Sequence, residues 1–238
     1  NTIFAPMSTI VLLHGALATE RQVLPLKALL PEQHVLSLTF SGHGDRTSEP
    51  LDFMRFVDDV DAVVTRDGTN QVHLFGYSMG GYAALLYAAK FPERVLSVIT
   101  LGSILVWTEE ALQKELRKLD PALMELKVPA FARTLAEWHG EDNWRNVVFG
   151  VADRMTDLAR SPLLTEEVVQ CIQCPVLCCV GDGDISADPE RTRQFASHLW
   201  NSRTMVLPNT RHPFEDVDLD AFVPELHRFW QEAEATRN

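Results

Sequence analysis

Apolar residues in this chain follow two patterns that take turns. Short unbroken runs cover 9–13, 35–40, 72–75, 95–101, 176–180 and 204–207. Runs of that length without polar alternation predict strands buried on both faces. Between them the period changes to that of a helix. The stretch 24–30 is helical in pattern, and Phe53, Phe56, Val57, Val60 and Val64 recur at three- and four-residue spacing with acids opposite. The stretch 82–91 is apolar nearly all round, which predicts a helix buried on every side. Phe222, Leu226, Phe229 and Trp230 mark a closing helix. Strands alternating with helices predict an α/β fold, a mainly parallel sheet covered by helices on both faces.

The alternation stops between about 104 and 165. That stretch holds no convincing strand, several helical segments, and Pro121, Pro129 and Gly140 as punctuation. It carries three of the five tryptophans, Trp107, Trp138 and Trp144. The expected organisation is one domain: a core of 1–103 and 165–238, and a helical insertion of 104–164 over the C-terminal edge of the sheet.

Composition narrows the function. With 238 residues the chain can bury a sizeable core without disulfides or metal, and 46% hydrophobic with 23% charged residues is ordinary for a globular protein. Lys and Arg number 21 against 33 Asp and Glu, a net charge of −12 that argues against nucleic acid and anionic lipid as partners. No apolar run approaches the ~18–20 residues of a membrane span. Asn1 to Ser8 lacks the basic-then-apolar layout of a secretion signal. All four cysteines lie close together, at Cys171, Cys174, Cys178 and Cys179. Cys171 and Cys174 have a metal or redox spacing, but no histidine is near in sequence, and Cys178 and Cys179 point to opposite faces of their strand. Buried thiols in a reducing, cytoplasmic compartment are the expectation, with no metal.

The chemistry centres on Gly76-Tyr77-Ser78-Met79-Gly80-Gly81, between a predicted strand and a buried helix. Gly-x-Ser-x-Gly in that context is a nucleophile elbow: the turn is too tight for side chains at the glycines, and the serine stands at a helix N-terminus. A serine hydroxyl needs a base, and the base needs a carboxylate to orient it. Of eight histidines, His212 lies in the loop after the last strand, at the edge where the elbow also sits. His73, His139, His198 and His227 fall in elements or in the insertion, where core or surface roles are expected. After the strand 176–180 the acids are Asp182, Asp184 and Asp188. Asp188 precedes Pro189 and reads as a helix cap, and Asp184 is better placed than Asp182 to reach the histidine.

Over essentially its whole length the chain resembles the α/β-hydrolase superfamily. The resemblance rests on Leu13-His14-Gly15-Ala16, the stretch from Ser41 to Arg46, the elbow, Gly181-Asp182-Gly183-Asp184, and Arg211-His212. It implies Ser78 as nucleophile, His212 as general base and then acid, Asp184 as orienting carboxylate, and the backbone N–H groups of Ala16 and Met79 as oxyanion hole. It implies a helical cap in the insertion and a bracing role for His14. Two departures stand out: the N-terminal strands usual in the family are reduced to 1–6 or lacking, and Arg211 replaces a small residue, either as an exposed loop cation or at the pocket rim.

A Ser–His–Asp site performs acyl transfer without metal, nicotinamide or flavin. Tyr77, Trp107, Trp138, Trp144 and Phe149 are the candidate pocket residues, with Leu112, Leu116, Leu119, Met124, Phe131 and Met155 as further apolar surface of the insertion. The expectation is a serine hydrolase, monomeric or homodimeric, for a small or medium carboxylic ester with an apolar acyl or alcohol part. Carbon–carbon bond hydrolysis or a menaquinone-pathway type of lyase reaction by the same triad is a second reading. A triad-bearing ligand sensor with little turnover is a third.

Overall fold

In the computed structural model, residues 8–236 are described. Six strands form one sheet: β1 (Thr9–Leu13), β2 (Val35–Leu38), β3 (Val72–Tyr77), β4 (Val95–Leu101), β5 (Val176–Gly181) and β6 (Ser202–Leu207). Their order is β2-β1-β3-β4-β5-β6 and every neighbouring pair is parallel. The reduced N-terminal strand expected within 1–6 lies outside the described residues. β2 stops before the expected 39–40, because the Phe40 N–H donates to the His14 ring rather than to a neighbouring strand.

The unbroken apolar runs become two cores by simple alternation of side chains across the sheet. Val11, Leu13, Leu74, Val98, Val176 and Cys178 face one side, packed with α2 (Phe53–Asp67) and α3 (Met79–Lys90). Ile10, Leu12, Phe75, Ile99, Leu177 and Cys179 face the other, with α10 (Leu219–Ala235) and the short α1 (Leu24–Ala28). Cys178 and Cys179 thus serve opposite cores, and burial pushes the Cys178 thiol up to about 12. Cys171 departs from the expected burial and is exposed.

α2 begins at Asp52, whose carboxylate accepts from the N–H groups of Met54 and Arg55, and ends at Gly68 with φ +77°. α3 packs against α2, and residues from Gly80 to Ala88 along it are buried, as its all-round apolar sequence requires.

Between β4 and β5 the chain is helical: α4 (Glu109–Leu116), α5 (Pro121–Lys127), α6 (Pro129–His139), α7 (Trp144–Arg160) and α8 (Glu166–Gln170). Side-chain oxygens of Thr108, Asp120 and Thr165 cap three of these helices, and Pro121 and Pro129 open two. Met124, Ala132, Leu135, Trp144, Val147, Val148 and Val151 form a third apolar cluster, closed from below by Leu17 of the loop after β1. α9 (Pro189–Ala196) follows β5, capped by Asp188 as expected.

Two helical glycines predict opposite outcomes for one substitution. A Cβ on Gly80 would lie 2.5 Å from the Leu13 carbonyl oxygen and 2.6 Å from that of His14, so backbone must move. Gly150 in α7 has room, the nearest atom being Leu51 Cδ1 at 3.4 Å. We expect Gly80→Ala to destabilise by about 1–3 kcal/mol and Gly150→Ala to stabilise by about 0.5–1 kcal/mol. Urea unfolding of the two variants reads both signs.

Candidate active site

β3 ends at Tyr77 and α3 begins at Met79, so Ser78 alone makes the turn from strand to helix. Its backbone has φ 50° and ψ −115°, a conformation that non-glycine residues rarely adopt. The neighbourhood enforces it. A Cβ on Gly76 would lie 2.3 Å from the Gly80 carbonyl oxygen, so strand and helix approach more closely there than any side chain permits. The Ser78 N–H donates to the Leu101 carbonyl at 2.8 Å, and Ser103 Oγ donates to the Ser78 carbonyl at 2.8 Å.

Three loops at the C-terminal edge of the sheet converge on that serine. His212, after β6, presents Nε2 at 3.4 Å from Ser78 Oγ. On its far side the Nδ1–H donates to Asp184 Oδ2 at 2.8 Å. The other Asp184 oxygen accepts from the N–H groups of Ser186 and Ala187 at 2.8 and 2.9 Å, which holds the carboxylate in place beside the imidazole. Asp182 instead accepts from the Thr210 N–H, tying the loop of the acid to the loop of the histidine. Of the three acids after β5, Asp184 therefore reaches His212, Asp182 braces, and Asp188 caps α9.

Tyr77 acts on the histidine from below. Its hydroxyl donates to the His212 carbonyl at 2.6 Å, and its ring packs on the imidazole and on Phe214. Burial first, then the nearby carboxylates led by Asp184, push its phenol well up, so it remains a donor. The loop after β1 lies opposite. Gly15 donates its N–H to Gln22 Oε1 at 2.8 Å, Ala16 lines the cavity beside Ser78 and Met79, and Leu17 carries a φ of 60°.

That loop is held by three buried histidines. His14 accepts the Phe40 N–H at Nε2 and donates from Nδ1 to the Gly15 carbonyl. His43 donates to the Ser41 carbonyl and packs edge-on against both His14 and His139. His139, at the end of α6, accepts the Gly44 N–H at 2.8 Å and donates to the Leu17 carbonyl at 3.0 Å. The inserted helices are thereby bonded to the strained residue next to Ala16. Nothing in the local sequence of α6 separates His139 from a surface histidine.

Two cavities open on Ser78 and His212. The inner one, about 40 Å³, is lined mainly by apolar side chains including Leu51, Phe53, Tyr82, Trp107 and Met155. The outer one, about 740 Å³, runs beneath the inserted helices past Tyr77, Leu119, Met124, Phe131 and Trp138. Arg154 reaches the inner cavity but lies 2.9 Å from Asp157 and 4.0 Å from Asp52. Arg211 stands at the rim of the outer cavity, largely exposed, with Nε 2.8 Å from Asp216. Arg211 is thus an exposed loop cation that also stands at the cavity rim, with Asp216 already beside it.

The sequence profile of the alpha/beta hydrolase family matches residues 10–225. The chain belongs to that family. It is 29% identical over 263 residues to a proline iminopeptidase of Pestalotiopsis fici, covering 91% of this chain and 89% of that protein. It is 24% identical over 242 residues to 2-succinyl-6-hydroxy-2,4-cyclohexadiene-1-carboxylate synthase of Serratia proteamaculans, covering 92% of each. Among solved structures, 2-hydroxy-6-oxo-6-phenylhexa-2,4-dienoate hydrolase of a Rhodococcus species superposes with a TM-score of 0.78 at 20% identity, over 94% of this chain and 91% of that one. At that identity the likeness concerns the fold.

Within this alpha/beta hydrolase, two of the expected pocket residues lie elsewhere. Trp144 is 1% exposed and fills the cluster between α6 and α7, with the Arg145 guanidinium over its ring. Phe149 is 53% exposed, because α7 turns Trp144, Val147, Val148 and Val151 inward and leaves Phe149 on the opposite face. Tyr77, Trp107 and Trp138 do line the cavities. Glu115 was not anticipated there. Its one sequence signal is an acid at the helical spacing of Ala111 and Leu112, on the face α4 buries.

The histidine cluster gives this hydrolase a pH dependence of stability. Burial, the largest cause in each case, lowers the proton affinity of His14, to about 4, and of His43 and His139 below the ordinary 6.5. The unfolded chain therefore binds these protons first, so the stability of the neutral rings is complete above pH 6.5 and is lost as pH falls toward 4. His14 alone is expected to cost about 2 kcal/mol between pH 7.5 and pH 5. Urea melts at the two pH values measure it, and equal unfolding free energies would show that the rings titrate normally.

Proposed function

We propose that this hydrolase cleaves small or medium carboxylic esters through an acyl-enzyme on Ser78. The observation that carries the reading is the bonded line Ser78–His212–Asp184 opening on two mainly apolar cavities. In this reading Ser78 Oγ attacks the ester carbonyl while His212 Nε2 takes its proton. Asp184 holds the Nδ1–H, keeps the imidazole in the tautomer that can accept, and stabilises the imidazolium. The 3.4 Å between Oγ and Nε2 shortens as substrate fills the site, the usual behaviour of an empty catalytic pair.

The oxyanion of the tetrahedral intermediate is bound by the backbone N–H groups of Met79 and Ala16. Met79 opens α3, where the helix dipole and free N–H groups favour a negative charge. One such donor is worth about 3–4 kcal/mol in the transition state. His212 then protonates the leaving alcohol, and water activated by the same ring releases the acid. Residues 104–164 act as a cap on this chemistry, with a core of their own and a floor supplied by Leu17.

Substrates with a free carboxylate, as a carbon–carbon hydrolase or lyase of the second reading would take, need a cation ready to bind them. Arg154 and Arg211, at the inner and outer cavity, each have a carboxylate partner already. A neutral ester requires no such group.

A fluorophosphonate is expected to label Ser78, and p-nitrophenyl butyrate to be turned over with a burst. Ser78→Ala should lose the label and at least about 10⁴-fold in kcat, and Asp184→Asn about 10³–10⁴-fold with little change in fold. Undiminished turnover in Ser78→Ala sinks the proposal. Labelling without turnover across an ester panel would point to the ligand sensor instead.

A further inference from the structure

Glu115 is the acidic side chain that borders both cavities. It sits on the buried face of α4 and is 9% exposed. A carboxylate taken out of water needs partners for its oxygens. Oε1 has one, the Lys118 ammonium at 2.7 Å. Among the described residues no donor bonds to Oε2, which stays accessible and is left to solvent or to whatever fills the cavities.

Lys118 is itself anchored. Its ammonium also donates to Ser186 Oγ at 2.7 Å, and the Ser186 N–H donates to Asp184 Oδ1. Glu115 is therefore held in place relative to Asp184, and through it to His212 and Ser78. The ion pair has a second consequence. With Lys118 cancelling its charge, Glu115 offers an acceptor but no net attraction for a cation. A neutral hydroxyl matches that offer better than an ammonium, and a substrate carboxylate is unwelcome beside it.

We propose that Glu115 is a specificity residue whose free carboxylate oxygen accepts a hydrogen bond from a neutral hydroxyl on the substrate, so that hydroxylated esters are preferred to plain ones. The proposal rests on Ser78 being the nucleophile of an ester hydrolase. Because Glu115 borders both cavities, the hydroxyl belongs either to the acyl or to the alcohol part, and paired esters tell which.

The test compares kcat/KM for ethyl butyrate, ethyl 3-hydroxybutyrate, glycerol monobutyrate and ethyl 3-aminobutyrate in the wild type, Glu115→Gln and Glu115→Leu. Ratios taken within one protein cancel any general loss of folded enzyme. The wild type should favour at least one hydroxylated ester over ethyl butyrate by about tenfold or more, the usual reward for a hydrogen bond to a charged group. Glu115→Leu should bring that ratio close to one. Glu115→Gln, which keeps an oxygen acceptor, should retain part of it. A wild-type ratio near one, an unchanged ratio in Glu115→Leu, or faster turnover of the amino ester than of either hydroxy ester overturns the assignment. Fluorophosphonate labelling separates the causes of failure. If Ser78 labels and the ratios fail, Glu115 has been misassigned. If the wild type neither labels nor turns over, the ester hydrolase reading falls and takes this one with it.

Discussion

The close approach of β3 to α3 is the constraint on which this structure depends. Without side chains at Gly76 and Gly80, the end of the strand, the start of the helix and the loop after β1 share space that one methyl group would occupy. Ser78 is forced into its strained conformation by that contact, and its hydroxyl emerges where the loops after β5 and β6 also end. Such strain persists only where surroundings over-determine it, and here they do. The helix that carries it is buried along nearly its whole length between sheet and neighbouring helices.

From that fixed point the site is assembled by backbone hydrogen bonds and buried polar side chains. Asp184 is oriented by two N–H groups of its own loop, His212 by Asp184 and Tyr77, and the loop of Ala16 by Gln22, His14 and His139. Asp184, His14 and His139 are each held by further hydrogen bonds, so the loops around Ser78 are positioned by side chains that cannot easily move. The inserted helices take part in this, and do more than cover the cavity. His139 bonds the loop beside Ala16, while Lys118 bonds the loop of the acid.

Charge has a smaller part than the net value suggests. The 12 excess negative charges are spread over a surface rich in ion pairs, and most of these pairs are exposed enough to contribute little to stability. What matters chemically is local pairing at the cavities, where Arg154, Lys118 and Arg211 all have carboxylate partners. The lining that remains is mainly apolar.

The sheet, the elbow and the chain order of Ser78, Asp184 and His212 were legible in the chain because they are written in short-range pattern. Short unbroken apolar runs read as strands, fully buried in β1, β3, β4 and β5 but only partly so in the edge strands β2 and β6, and Gly-Tyr-Ser-Met-Gly-Gly between a strand and an apolar helix has few other uses. Even the choice of Asp184 over Asp188 followed from local signals, since a proline after Asp188 marks a cap. The pocket was a different matter. Trp144 and Phe149 belong to one amphipathic helix, and which of its faces meets the cavities depends on how α6 and α7 pack. His139 and Glu115 look like ordinary helical polar residues until tertiary contacts bring one against Leu17 and the other between two cavities. Sequence alone determined the fold and the elbow at Ser78, because their causes act over a few residues. Tertiary structure alone decided what surrounds that serine, because those contacts join residues far apart in the chain, as His139 and Leu17 are.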